Sequence, residues 1–281
     1  MITRKKIMKY TGKSLKYVFA NFGYLILFGL FPAVFLAYSL DSATVGRILG
    51  DFFSGEPLAK FSEIFRAVSI FNFRSPTAVL AEGLGVALTV VCVAMMMAFM
   101  EKHMRIGKKT WNGLFSKVND NLLSTLGITL LFTALYELWA LIVSALLFCV
   151  TYISSRFMTY VAAAIVFFGT EIVLLYVVSV FYLWLPCLQI TGFRSFEALR
   201  YSYQLVTPVK WKIVWEQFLS MVAAETVLSV ASVLIPSNTA VFILAAVVFA
   251  FLILLFVTRM QVAYFDCAQM DRADLKPYYT D

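Results

Sequence analysis

The chain is 281 residues long, 62% hydrophobic and only 14% charged, with 23 Lys and Arg against 16 Asp and Glu. A water-soluble domain carries about 25% charged residues, so this composition excludes a soluble enzyme, a secreted disulfide scaffold and a disordered chain. It fits an all-α polytopic membrane protein, and the net charge of +7, set beside apolar spans, points to anionic lipid headgroups as partner rather than nucleic acid.

A bilayer core of about 30 Å needs about 20 helical residues to cross it. Six stretches meet that length, at 18–40, 77–100, 122–149, 160–190, 213–235 and 240–260. The basic start (Arg4, Lys5, Lys6, Lys9, Lys13, Lys16) looks like the head of a signal peptide. The apolar run behind it is longer than the 7–15 residues or so of such a peptide and no small-x-small cleavage site follows, so the first span is expected to stay. Counted by side, eighteen Lys and Arg flank the faces reached by the two ends of the chain, and five flank the other: Arg47, Lys60, Arg66, Arg74 and Arg156. Arg259 is counted with the basic tail. The bias predicts that both ends are cytoplasmic.

Outside the lipid, the longest loop is 41–76. Within it Pro57 opens an amphipathic helix over 57–71, with Leu58, Phe61, Ile64, Phe65, Val68 and Phe71 at helical spacing. It reads as a helix resting in the headgroup region; the functional alternative is a lid over an external opening. On the cytoplasmic side, amphipathic or basic lead-ins at 9–21, 111–121 and 195–206 precede the three inward-starting spans, which suggests three units of lead-in plus hairpin. In the last lead-in Phe196, Leu199, Tyr203 and Val206 share a face, and Arg200, Lys210 and Trp211 form a candidate cytoplasmic contact surface for lipid or for another membrane protein.

Chemistry is sparse. Glu137, Glu171 and Glu225 fall near mid-depth in the third, fourth and fifth spans, Glu82 toward the outside and Glu216 toward the inside. A carboxylate at the bilayer centre costs roughly 2.5–3.5 kcal/mol or more, so such residues face the bundle interior. There they either glue helices together as hydrogen-bonded acids or form a site for a cation, a proton or a polar headgroup. Pro32 and Pro186 interrupt the first and fourth spans, and Pro186 is expected to bend the fourth toward its lead-in. Met95, Met96 and Met97 read as lipid-facing or packed filler. His103, the single histidine, reads as an interfacial surface residue. Cys92, Cys149, Cys187 and Cys267 have no metal-binding spacing. No nucleotide loop, serine-hydrolase elbow or zinc-protease motif is present, so neither enzymatic activity nor a cofactor is expected.

The segment Phe196-Glu197-Ala198-Leu199-Arg200-Tyr201-Ser202-Tyr203-Gln204-Leu205-Val206, followed by Lys210-Trp211-Lys212, resembles the lead-in of a broad group of bacterial six-span proteins. The group includes the YciC-like proteins and the membrane domain found beside some glycerophosphodiester phosphodiesterases. Val262-Ala263-Tyr264-Phe265-Asp266 is similar to the short motif that closes many members. The resemblance implies a six-helix protein of the bacterial inner membrane and structural roles for Ser202 and Asp266. It does not carry over hydrolysis, because the phosphodiesterase chemistry belongs to a separate soluble domain. Taken together, the sequence puts first a non-catalytic membrane-organising component acting through lipid or protein contacts, and second a small permease or permease subunit using Glu137, Glu171 and Glu225.

Overall fold

The computed structural model describes residues 8–54, 60–71, 75–109 and 113–276. Among these, every regular element is helical: α1 (Lys9–Ala20), α2 (Phe22–Ser39), α3 (Ser42–Ser54), α4 (Phe61–Val68), α5 (Pro76–Ile106), α6 (Leu114–Val150), α7 (Arg156–Phe181), α8 (Trp184–Thr191), α9 (Ser195–Val206), α10 (Lys210–Leu234) and α11 (Asn238–Cys267), with single 3₁₀ turns at Thr207–Val209 and Ala273–Leu275. Six segments are long and apolar enough to cross a membrane: α2, α5, α6, α7 with α8, α9 with α10, and α11. The protein is therefore an all-α polytopic membrane protein.

The six packed helices form an up-and-down ring. Each packs on the next in the sequence (α2 on α5, α5 on α6, α6 on α7, α7 on α10, α10 on α11), and α11 closes the ring on α2. Inside a bilayer, helices associate through close packing of small residues rather than through water exclusion. That is how α2 and α11 meet. A Cβ added to Gly29 would lie 2.8 Å from Leu254 Cγ and 2.9 Å from the Ala250 carbonyl, with Ala33, Ala37, Ala245 and Ala246 buried along the same seam. The ring is unevenly packed. The most apolar stretch of α5 is 56% buried and those of α2 and α11 are 39% buried, against 22% for α6, α7–α8 and α9–α10.

Helix ends follow local chemistry. Ser75 accepts from the Ala78 N–H at the start of α5, with Pro76 in the first turn, a position where its missing N–H costs nothing. Gly107 ends α5 with a φ of 78° and Gly192 ends α8 with a φ of 70°, which favours glycine at both positions. The expected bend in the fourth span is a break at Tyr182 and Leu183, with Pro186 in the first turns of α8.

Other expectations need correction. The first membrane helix begins at Phe22 rather than Val18, because the chain turns at Asn21 and the stretch before it belongs to α1. The lead-in expected at 111–121 is not a separate helix: α6 runs unbroken from Leu114, and Trp111 lies outside the described residues. Pro57 and Leu58 also lie outside them, so the external helix is seen as α4 alone. It has a companion that the sequence reading did not foresee, α3.

Helices α3 and α4 cross the ring as a strap on the face opposite the chain ends. Helix α3 packs on α10, so tightly that a Cβ at Gly46 would sit 2.5 Å from the Ser232 carbonyl oxygen. Tyr160 of α7 donates to the Phe52 carbonyl at 3.1 Å. Arg47 joins the two strap helices through Glu63 at 2.9 Å, and α4 packs along α6.

Candidate functional site

The three glutamates singled out by the sequence sit on α6, α7 and α10, in the loosely packed half of the ring. All three act electrostatically on the Tyr136 hydroxyl, and Glu225 acts on Glu171. Their environments differ. Glu137 is a tether: its carboxylate accepts from Ser69 Oγ at 2.6 Å and from the Ile70 N–H at 2.8 Å, while Tyr136 donates to the Val68 carbonyl at 2.9 Å. These bonds fix the end of α4 thirteen residues short of the end of α6, about 20 Å along that helix at 1.5 Å per residue. The strap therefore dips well below the α6–α7 hairpin tip instead of lying across it.

Glu171 is 0% exposed, and neither of its carboxylate oxygens has a hydrogen-bond partner. Glu225 leaves Oε2 buried and unpartnered as well. The same three helices carry a run of aromatic contacts. Trp139 donates to Thr170 Oγ1 at 3.1 Å and meets Tyr136 and Phe167 at 5.3 and 5.9 Å between ring centroids. Phe168 of α7 meets Phe218 of α10 at 6.1 Å. A cavity of about 160 Å³ opens elsewhere, where α2 meets α3 and α11 beside Tyr38, Asp41 and Asn238, and holds none of these glutamates.

Nearer the chain ends lies a second buried polar group, of which the sequence gives Glu216 but not its partners. Glu216 is 0% exposed and accepts from the Tyr10 N–H at 3.1 Å, the Thr11 N–H at 2.6 Å and Thr11 Oγ1 at 2.8 Å. One helix thus supplies the carboxylate that satisfies the free N–H groups opening another. Arg259, taken above for a residue of the basic tail, is 1% exposed and lies 4.0 Å from Glu216 through Nε, with its NH2 donating to Ser220 at 2.7 Å. The signal for it was present: the apolar pattern resumes at Val262-Ala263-Tyr264-Phe265, so α11 continues past the arginine. His103 is corrected likewise. It is buried and shares a 2.8 Å hydrogen bond with the Tyr17 hydroxyl, which joins α5 to α1. Lys9 and Lys13 pair with Asp266 at 2.5 and 2.8 Å, and burial pushes the Tyr10 and Tyr17 hydroxyls well above their ordinary range, so both stay protonated.

The structure brings Lys210 and Trp211 together but leaves Arg200 apart. Lys210 Nζ lies 3.3 Å from Tyr176 Oη and 4.7 Å from its ring centroid, and Trp211 meets the same ring at 5.5 Å. Arg200 is exposed on α9, whose packed edge is Ala198, Ser202 and Val206; Phe196, on the other side, is 86% exposed. Met96 and Met97 are buried core residues.

No protein-family model, curated protein or solved structure matches this chain. The class rests on its own architecture: a polytopic, all-α membrane protein whose ring of six apolar segments encloses carboxylates.

Proposed function

We propose that the protein is a small permease, or the membrane subunit of one, in which Glu171 and Glu225 receive a solute beneath the α3–α4 strap. The observation that carries this reading is Glu171, wholly buried with both oxygens unpartnered. A carboxylate placed only to glue helices is expected to be hydrogen-bonded, as Glu216 and Glu137 are; one left bare in a membrane interior marks a ligand or proton path. Glu225 lies nine residues after Glu216 on α10, about 13 Å along the helix and about 180° around it, so it stands clear of the group that Glu216 forms with α1 and α11. The membrane-organising role favoured by sequence gains less, because the glutamates are neither scattered nor all bonded to neighbours.

In this reading both ends are cytoplasmic, in keeping with the Lys and Arg bias, and the membrane is the bacterial inner membrane of the group the chain resembles. Arg200, Lys210 and Trp211, the last 58% exposed, rest against anionic headgroups of the inner leaflet. The ring acts without enzymatic chemistry. The test is charge movement by proteoliposomes on a solid-supported membrane, challenged in turn with amino acids, amines and inorganic cations. At least one class should give a current that is lost in a folded E171Q/E225Q protein. No current with any class, or a current indifferent to the double substitution, overturns the proposal.

A further inference from the structure

The chemistry around Glu171 narrows the class of solute. Glu171 and Glu225 act on one another electrostatically, and among the described residues no Lys, Arg or His pairs with either of them. When the two are ionised, the balancing cation comes from outside the chain. An inorganic ion is poorly served: among the described residues no three His, Cys, Asp or Glu side chains come close enough to hold a metal, whereas calcium takes 6–8 oxygen ligands or so. The walls are aromatic instead. Tyr136 reaches both carboxylates electrostatically, Trp139 meets Tyr136 at a tilt and Phe167 edge-on, and Phe167 lies one helical turn before Glu171 on α7. Acid groups beside aromatic faces are the arrangement that recognises substituted ammonium groups, whose charge is spread over apolar carbons.

We propose that the Glu171–Glu225 site binds an organic ammonium cation, its charge facing the two carboxylates and its apolar substituents packed on the Tyr136, Trp139 and Phe167 rings. The proposal rests on the permease reading for the site's purpose, and on the unpartnered Glu171 and the aromatic wall for its chemistry.

The experiment is equilibrium binding of radiolabelled benzyltrimethylammonium to the full chain in nanodiscs. Saturable binding is expected, displaced by choline but not by its uncharged isostere 3,3-dimethylbutanol or by magnesium, and at least tenfold weaker in E171Q. Should E171Q fail to fold, F167L keeps both carboxylates and should weaken binding at least threefold. Absence of saturable binding overturns the inference, as does binding unaffected by E171Q and F167L or displaced equally by the neutral isostere. If the inference fails while inorganic cations or amino acids still drive a Glu171-dependent current, the permease reading stands with another solute; if no class drives a current, both fall.

Discussion

The two halves of the ring handle buried charge in opposite ways. Where α1, α10 and α11 meet, Glu216 receives three hydrogen bonds and sits beside Arg259. Between α6, α7 and α10, Glu171 receives none. The first arrangement ties α10 to α1 and to α11, whose apolar stretch is 39% buried; the second lies among helices whose apolar stretches are all only 22% buried. A carboxylate that organises the fold is surrounded by donors, and one that awaits something is not.

That contrast can be broken by substitution, with thermal unfolding in detergent as the common measurement. E216A should do most damage, because it frees the opening N–H groups of α1 and strands Arg259. Removing one partner of a buried pair costs about 3–5 kcal/mol, a drop in Tm of roughly 10 °C for a chain of this size. G46A comes next. Its methyl group meets the Ser232 backbone, which yields less readily than a side chain, so about 1–3 kcal/mol is expected from overpacking, along with faster thiol labelling of an F71C reporter as α3 lifts from α10. E137A leaves the Ile70 N–H without its acceptor and the Ser69 hydroxyl with the Phe71 carbonyl alone, at about 1–3 kcal/mol, and should speed the same labelling. K13A removes one half-exposed ion pair and should cost at most about 1 kcal/mol. E171Q should leave Tm unchanged or raise it, since Glu171 makes no hydrogen bond that the substitution could remove. A fall as large as that of E216A would make Glu171 a structural residue and erase the distinction between the halves.

The spans were legible because twenty-residue apolar runs have few alternatives, and Glu137, Glu171 and Glu225 were legible because acids are rare inside such runs. What escaped was set by contacts between distant segments. Counting positive charge by side assigns Arg259 to the tail, and only Glu216 on a different helix explains its burial. His103 stands between basic neighbours in a surface-like stretch, yet the turn at Asn21 lays Tyr17 over it. Helix α3 was obscured by Gly46 and Gly50, which read as loop, although Val45, Ile48, Leu49 and Phe52 keep a helical period. Gly46 is there because α10 passes too close for a side chain. The different fates of the three glutamates are tertiary facts as well: one ties down the strap and two remain bare.

The strap also bears on how the chain is assembled during synthesis. It lies between the first and second membrane segments in the sequence, but its anchors are Glu137, Tyr160 and Ser232, on segments translated later. Helix α1 waits longer still, for Glu216 and Asp266. The ribosome must therefore deliver every segment through α11 before α1 and the strap are fully seated, and products truncated ahead of α10 should be prime substrates for membrane quality-control proteases.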